Sequence, residues 1–333
     1  MSRTSWDTQD PKERKFLDTK ENGTSNVINQ TTFTYFFLLG FHNSKDLKVL
    51  ITFILLVVYS ITIFGNSVII ILVFCSKTLQ SPMYFFLTQL STNDILLTSA
   101  IVPNTLYVSL NDGATISFAA CITQFYFFCA SEISECLLLT VMSYDRYLAI
   151  CNPLRYSVLM NRGLCLKLII ASWMLSFSLI DIVSLSKLEF CKSNIIDHFF
   201  CDLGPLMNIS CSDTYFLQLE VTLLSIPLVI IPFIMLVISY AYIIFAILKI
   251  QSKSGRQKTF STCSSHLSVV IMFYGTLIGI YVLPNREQTL NTGKILSLSY
   301  TVVIPLLNPI IYSLRNQDIK KSLQKNIRKM IVI

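Results

Sequence analysis

The sequence has few charged residues, and long blocks of the chain contain almost none of them. Charged residues make up 14% of the 333 positions, hydrophobic residues make up 53%, and the mean hydropathy is +0.60. Soluble domains usually carry about 25% charge. A helix needs about 20 apolar residues to cross roughly 30 Å of hydrocarbon, and several blocks here are that long. These features exclude a soluble globular domain and predict a membrane protein.

Signatures of other functions are missing too. There is no HExxH, P-loop or GxSxG motif and no catalytic carboxylate pair in a soluble domain, so we expect neither an enzyme nor a cofactor. No apolar block precedes residue 46, which argues against a cleavable signal peptide. The absence of internal repeats and of a continuous polar stripe disfavours a transporter or channel. A retinal pigment is disfavoured because no lysine lies deep within the last block; Lys294 lies at its outer edge.

Seven apolar blocks are present, joined by short connections. In lipid every backbone polar group must be satisfied within the protein, so helices are the expected structure and the fold class is an all-α membrane bundle. The predicted transmembrane spans are 48–74, 82–107, 119–148, 164–187, 216–248, 260–283 and 294–314. Pro227, Pro232 and Pro305 fall inside spans, where they indicate kinks rather than ends.

The distribution of basic residues predicts the orientation. With the N-terminus outside, the cytoplasmic segments contain 15 Lys and Arg residues, whereas the extracellular loops contain four. The positive-inside rule thus predicts an extracellular tail over 1–47 and a cytoplasmic tail over 315–333. The net charge of +7 follows from this topology, and we expect no nucleic acid partner.

The cytoplasmic tail has its own pattern. Apolar residues at 319, 323, 327, 330 and 331 alternate with bases at helical spacing. This pattern predicts a short amphipathic helix on the anionic inner leaflet, with membrane lipid as its partner. A solvated basic tail is the alternative.

The predicted outer side contains the modification signals. Sequons for N-glycosylation occur at Asn22, Asn29 and Asn208. Four of the ten cysteines also lie on this oxidising side, and spacing alone leaves their three possible pairings open. They are Cys121, Cys191, Cys201 and Cys211. His198, Cys201 and Asp202 have metal-ligand chemistry, but a disulfide at Cys201 would remove its thiolate, and no metal is expected.

Several motifs between residues 35 and 325 are more specific than hydropathy. They are Gly65-Asn66, LQSPMYFFL at 79–87, MSYDRYLAIC at 142–151, Ser239-Tyr240, KTFSTCSSHL at 258–267 and PLLNPIIYSLRN at 305–316. Asp-Arg-Tyr and Asn-Pro-x-x-Tyr mark rhodopsin-like G-protein-coupled receptors in general. The PMYFFL, SYDRYLAIC and KTFSTCSSH stretches resemble the vertebrate odorant receptors within that class.

The resemblance implies a function and a pair of disulfides that hold a loop over the outer end of the bundle, as a lid. The function is binding of a small volatile odorant and activation of a stimulatory heterotrimeric G protein in the plasma membrane of sensory cilia. Cys121 would pair with Cys201, and Cys191 with Cys211, which closes the loop after the fourth span over the mouth of the third. A receptor for an endogenous metabolite outside the nose is the alternative, which tissue expression would distinguish.

The resemblance also assigns the inner ends of the spans to signalling. Arg146 would leave its ion pair with Asp145 and meet the G protein when the sixth span swings outward. A snorkelling arginine that anchors the helix end is the alternative. The other residues of this set are Tyr147, Tyr240, His266, Asn308, Pro309 and Tyr312.

Two acids lie deep within spans. An isolated charge there costs at least about 2.5–3.5 kcal/mol, so Asp94 and Glu135 are expected to face inward and be protonated or paired. Asn66 and Asn308 are the expected partners. By resemblance a sodium ion binds in this cluster, and a fixed hydrogen-bond network that sets helix register is the alternative.

Glu132 departs from the odorant-receptor pattern. It shares a helical face with Phe125, Phe128 and Glu135 and lies 14 residues before Arg146, about 21 Å along a helix. By resemblance, ligands bind at this depth. A carboxylate there would form a charge-assisted hydrogen bond with an ammonium, which predicts amine ligands. The alternative is a protonated Glu132 bonded to backbone or water.

The same geometric reasoning predicts the rest of the ligand cavity. It is largely apolar with a few hydroxyls, which suits small volatile molecules, although plain packing between helices explains each position equally well. The lining besides Glu132 comprises Phe125, Phe128, Cys129, Ile133, Leu224, Ser225, Leu228, Tyr274, Leu277, Ile278, Tyr281, Leu298 and Thr301.

Overall fold

The computed structural model describes residues 34–41, 45–180, 185–191, 193–281 and 290–331. This part of the chain contains α1 (Lys45–Cys75), α2 (Pro82–Leu110), α3 (Phe118–Cys151), α4 (Arg162–Ser178), α5 (Tyr215–Leu248) and α6 (Lys253–Tyr281). The next helix, α7, comprises Leu290–Leu298, Ser299–Val303 and Ile304–Arg315, and α8 is Gln317–Ile331. Short helices at Lys77–Leu79, Pro153–Leu159 and Leu203–Ile209 lie in the connections.

The helices have the length and composition of membrane spans. Among the described residues, five helices qualify individually, namely Asp46–Cys75, Pro82–Leu110, Phe118–Cys151, Tyr215–Leu248 and Gly293–Ser313. The bent pair Pro153–Leu159 and Arg162–Ser178 makes a sixth if counted as one span, and α6 contains the shorter apolar segment Cys263–Gly279. Large side chains on the outer faces of α1 and α5, such as Phe64 and Phe245, are exposed. The chain is therefore a helical multi-pass membrane protein.

One predicted span boundary is wrong. The fourth span was predicted over 164–187, but α4 ends at Ser178. Leu185 and Leu188 are buried outside that helix, and hydropathy alone does not separate such residues from those of a span. The sixth span was predicted from 260, and the apolar segment Cys263–Gly279 lies within it, although α6 itself begins at Lys253 with polar first turns. Residues 282–283 lie outside the described residues.

Prolines coincide with irregular turns in α5 and α7. A π-helical turn covers Ile226–Ile230 and contains Pro227, and a second covers Ser299–Val303, just before Pro305. Proline removes a backbone donor and crowds the preceding turn, and a π turn accommodates that change without ending the helix. These two prolines therefore lie at distortions within continuous spans, as the sequence predicts.

A small sheet covers the outer end of the bundle. Strand β1 (Tyr35–Leu38) pairs antiparallel with β2 (Ala114–Ser117) and parallel with β3 (Ile195–Ile196). Gly113 precedes β2 with φ +107°, and a Cβ there would lie 2.6 Å from the ring of Phe37, so this turn requires glycine. The sheet joins the segment before α1 to loop 1, between α2 and α3, and to loop 2, between α4 and α5.

Disulfides fix loop 2 against α3. Cys121 is bonded to Cys201 and Cys191 to Cys211, which is the pairing that the resemblance implies. One turn further into α3, Gln124 accepts a hydrogen bond from the backbone N–H of Cys201 at 3.0 Å. The amide of Gln124 donates at 3.0 Å to the carbonyl of Ala100 in α2. Loop 2 is thus held over the outer ends of two helices.

Lys294 connects α7 to the segments that cover the outer end of the bundle. Its ammonium donates to the carbonyl of Gly40 at 2.8 Å and pairs with Asp197 of loop 2 at 2.6 Å. The lysine side chain is only 4% exposed, and a buried ammonium is costly unless it is paired. The ion pair therefore holds the segment before α1, loop 2 and α7 together.

Helix α8 packs back onto the bundle. The hydroxyl of Tyr84, in the PMYFFL motif, lies 3.2 Å from Oδ1 of Asn316 and 3.1 Å from Oδ2 of Asp318 and donates to these acceptors. Ile319 is buried, whereas Lys320 and Lys321 are exposed. The predicted amphipathic helix after α7 is present.

The ion pair of Lys294 gives the first testable prediction. We expect Lys294→Gln and Asp197→Asn to destabilise the protein non-additively, because each change removes the same contact. The double variant should lose little more stability than Lys294→Gln alone, with a coupling of about 1–2 kcal/mol. Thermal melting of the purified protein in detergent measures this, and additive losses would contradict it.

Candidate functional site

One face of α3 carries the centre of the predicted site. Phe125, Phe128, Glu135, Leu139 and Met142 are all buried on this face, as their helical spacing predicts. A single rigid helix therefore sets the distance between the outer cavity and the inner, signalling end of the bundle.

Glu132 lies on this face with an unsatisfied carboxyl group. Both of its carboxylate oxygens are buried, and neither has a hydrogen-bond partner in the part of the chain that the structure describes. Asp202 of loop 2 and Glu135, one turn further in, are close enough to interact with it electrostatically. A buried polar group without a partner is costly. The position therefore offers two acceptors to a donor that the described residues do not supply.

Loop 2 packs an aromatic ring against the face of α3 that carries Glu132. The ring of Phe200, next to the disulfide, lies edge-on to Phe128 with a centroid separation of 5.2 Å. Phe128 in turn packs against Tyr300 of α7 at 5.6 Å. Sequence reasoning did not identify Phe200 or Tyr300. The position of Phe200 beside Cys201, on the predicted lid, was the signal for the first of them.

The predicted lining residues of α3 and α5 are mostly shielded. Cys129 and Ile133 are half-buried beside Glu132. On α5, Leu228 is buried, and Leu224 and Ser225 are half-buried around the π-helical turn. These side chains are thus shielded on two helices that pack against each other.

The predicted lining residues of α6 include one error. Tyr274 is buried, with its ring 4.6 Å from that of Phe233, and Leu277 is half-buried. Ile278 is 47% exposed and shares the exposed face of Ile271, so it points away from the bundle. The inward-facing side of α6 therefore contains Tyr274 and Leu277, which are three positions apart, but not Ile278, which is four positions from Tyr274.

The last predicted lining residues are Tyr281 of α6 and Leu298 and Thr301 of α7. The side chain of Tyr281 lies outside the described part of the chain. On α7, Leu298 is half-buried, and Thr301 is fully buried with its hydroxyl donating to the carbonyl of Ser297 at 2.7 Å. The hydrogen of Thr301 is therefore already used, which leaves only its oxygen as an acceptor for a ligand.

A polar cluster lies below the outer cavity. The amide of Asn308 donates to both carboxylate oxygens of Asp94, at 3.0 and 3.1 Å. Asn66 donates at 3.2 Å to the carbonyl of Pro305. Glu135 is fully buried beside this group, close enough to Asp94 to interact electrostatically, and no base pairs with either acid among the described residues. The predicted partners Asn66 and Asn308 thus lie at the α1–α7 and α2–α7 contacts.

A small residue allows α1 to approach α7 at this level. A Cβ on Gly65 would lie 3.2 Å from the ring of Pro309. The Gly-Asn pair therefore combines close approach at Gly65 with a hydrogen bond at Asn66, and together they fix α1 against the Asn-Pro-x-x-Tyr segment of α7.

The inner ends of the helices are linked by polar side chains. Arg146 forms an ion pair with the fully buried Asp145. Tyr156, in the short helix after α3, donates to the other oxygen of Asp145 at 2.8 Å. Sequence reasoning did not identify Tyr156, because its contact depends on how that connection folds back.

A second link joins α5 to α6. The hydroxyl of Tyr240 is hydrogen-bonded to Nδ1 of His266, and the two rings stack. Tyr147 is half-buried, 5.9 Å from the ring of Tyr242, and Tyr312 is fully buried. The predicted signalling residues therefore belong to neighbouring inner contacts that hold α3, α5 and α6 together.

Burial shifts the pKa values of two titratable groups in loop 2 in opposite directions. Burial and the nearby charge of Lys294 lower the pKa of His198 to about 4. Burial raises the pKa of Asp202 to about 6, although the backbone N–H of Leu203 partly offsets that shift. Both groups are therefore favoured in their neutral forms by the closed lid.

These shifts predict how stability depends on pH. Below pH 6.5 the unfolded chain protonates His198 before the folded chain does, so this residue destabilises the fold as pH falls towards about 4. For Asp202 the unfolded chain ionises first, so stability falls as pH rises from about 4 to about 6. The two effects oppose each other in the unaltered protein.

Single variants separate the two effects. We expect melting temperature to fall with rising pH over this range in His198→Gln, and to rise with pH in Asp202→Asn. Melting of the purified protein across the same pH series measures both slopes. Identical slopes in the two variants would contradict the assignment.

The bundle, its disulfide-bound lid and the Asp-Arg-Tyr and Asn-Pro-x-x-Tyr segments at its inner end define a G-protein-coupled receptor. A family model described as "Olfactory receptor" matches residues 55–330. Human olfactory receptor 11L1 is 48% identical over 90% of this chain and 94% of its own length. Human olfactory receptor 5I1 and canine olfactory receptor-like protein OLF1 are each 44% identical, over 91% and 90% of this chain and 97% of their lengths. The chain belongs to the olfactory receptor family, whose members are receptors and not enzymes.

Proposed function

We propose that the protein is an odorant receptor that binds small volatile ligands in the outer half of its bundle and activates a stimulatory heterotrimeric G protein. Family membership supports the class of activity. The observation that carries the ligand site is the buried, unpartnered carboxyl group of Glu132 beneath loop 2. In this proposal the remaining predicted lining residues, apart from Ile278, form a cavity around this group.

The proposal includes a topology. Seven spans cross the plasma membrane of sensory cilia, with the N-terminus outside and the C-terminus inside. The excess of basic residues in the segments assigned to the cytoplasm supports this orientation. Asn208 is exposed in loop 2, consistent with a glycosylated outer face. The other two proposed glycosylation sites, Asn22 and Asn29, lie outside the described residues.

Activation follows from a shift between two states of the bundle. An agonist drives signalling only if it binds more tightly to the state in which α6 is open. Opening requires the inner contacts of α5 and α6, including the Tyr240–His266 bond, to rearrange. The interior group of Asn66, Asp94 and Glu135, with or without a sodium ion, lies between the ligand and these contacts and rearranges with them.

Glu132 gives the proposal its ligand preference. An ammonium group placed beneath loop 2 would satisfy both of the carboxylate oxygens that lack partners. A hydrogen bond to a charged group contributes about 1.5–3 kcal/mol, which corresponds to a 10- to 100-fold change in affinity. We therefore propose amines as the preferred odorants.

A panel of odorants tests this preference. We expect Glu132→Gln to raise the half-maximal concentration of active amines at least about tenfold and to change responses to neutral alcohols and esters little. Cyclic AMP in transfected cells is the readout. Glu220→Gln, the same change on α5 outside the proposed cavity, is the matched control. Unchanged amine responses in Glu132→Gln would exclude the ion pair.

Arg146 tests the G-protein half of the proposal. We expect Arg146→Gln to abolish ligand-stimulated cyclic AMP, because no guanidinium is then released from Asp145 for the G protein. Surface expression should persist, since the helix end keeps a polar side chain. Arg162→Gln removes an exposed arginine at the start of α4 and is the control. Full signalling by Arg146→Gln would support the alternative that Arg146 only anchors the helix.

A further inference from the structure

A cavity lies between the inner ends of α5 and α6, far from the proposed ligand site. Its volume is about 470 Å³. The α5 wall consists of Ile244, Ile247 and Leu248, and the α6 wall contains Lys253, Arg256 and Phe260. Leu248 is 63% exposed and Phe260 is 58% exposed, so the cavity opens onto the surface of the bundle.

The cavity has an apolar wall and a basic rim. Lys253 and Arg256 are three positions apart in the first turn of α6 and so lie on one face of the helix. Both are exposed, and no carboxylate pairs with either in the part of the chain that the structure describes. No acid is among the lining residues. Two uncompensated cations therefore lie at one end of a hydrophobic groove.

We propose that this cavity binds an anionic phospholipid of the inner leaflet. Its phosphates contact Lys253 and Arg256, and an acyl chain lies along Ile244, Leu248 and Phe260. Basic pockets between membrane helices on the cytoplasmic side are suited to anionic headgroups, and a groove that joins such a pocket to apolar side chains matches both parts of a lipid. A free phosphate compound would use only the basic rim.

The site touches both helices whose separation the proposed activation changes. Ile243 and Ile247 on α5 are buried next to the groove, and the Tyr240–His266 contact lies about one turn further into the bundle. A lipid that fits the groove in one state of α5 and α6 favours that state. The inference depends on the proposed orientation of the chain but not on its odorant or on G-protein coupling.

Lipid binding to the full-length receptor tests the inference directly. The purified receptor is placed in nanodiscs of phosphatidylcholine with or without phosphatidylinositol bisphosphate, and the retained lipid is counted by native mass spectrometry. We expect the receptor to retain the anionic lipid selectively. The double variant Lys253→Gln/Arg256→Gln should weaken retention about tenfold or more, since each base near an anionic lipid surface contributes to binding.

Controls separate this site from general attraction to the membrane. Arg162→Gln/Lys167→Gln removes two exposed bases of α4, away from the groove and from α8, and should leave retention unchanged. Phe260→Ser should weaken retention of the lipid while leaving the basic rim intact. Equal losses in the two double variants would overturn the inference, as would equally tight binding of soluble inositol phosphate. No odorant or G protein is present, so the result does not depend on the proposed function.

Discussion

The disulfide between Cys121 and Cys201 is the constraint on which the outer half of the molecule depends. It fixes loop 2 to the first turn of α3, and the residues on either side of Cys201 then have little freedom. Phe200 lies against Phe128 on one side, and Asp202 faces the surroundings of Glu132 on the other. This covalent bond therefore fixes the part of loop 2 around Cys201, and the sheet and the Lys294–Asp197 ion pair hold the rest of the loop.

The same helix carries this constraint to the inner side. Cys121 and Arg146 are 25 residues apart in α3, about 38 Å at 1.5 Å per residue. Between them the helix contacts its neighbours mainly through buried apolar side chains. The buried acid Glu135 lies along the same face, close to Asp94, and Asp94 is bonded to Asn308 of α7. Packed side chains thus run continuously from the outer part of α3 to the inner contacts.

Polar side chains link several pairs of elements in the part of the chain that the structure describes. Asp94 and Asn308 join α2 to α7, Tyr240 and His266 join α5 to α6, and Tyr156 joins the connection after α3 to Asp145. In an apolar bundle such groups are costly unless they are paired, so their pairing specifies one arrangement of the helices.

The sequence predicted features that depend on local periodicity and missed those that depend on distant pairing. The prediction of which side chains share the buried face of α3 was correct, because helical spacing alone decides this. The predicted outer end of α4 was wrong because hydropathy does not separate Leu185 and Leu188, which are buried outside the helix, from the apolar residues of a span. The prediction that Ile278 faces the inside of the bundle was wrong, because residues three and four positions apart can both share one face of a helix.

Contacts between distant segments were beyond sequence reasoning. The ion pair of Lys294 and Asp197 joins residues 97 positions apart. No local sequence pattern around either residue predicts the other as its partner. Strands β1, β2 and β3 are short and come from three separate segments, so no hairpin signal marks them. The disulfide pairing was anticipated only through the family resemblance, since four cysteines permit three pairings.

The central claim is that a small ligand in the outer cavity changes the inner end of the bundle enough to activate a G protein. Nucleotide exchange on a purified stimulatory G protein, with the unaltered receptor in nanodiscs and a panel of amines, alcohols, acids and esters, tests it most directly. The account predicts that at least one volatile amine accelerates exchange only when the receptor is present. If a folded receptor gives no acceleration with any member of the panel, while the same G protein responds to another receptor, the account is contradicted.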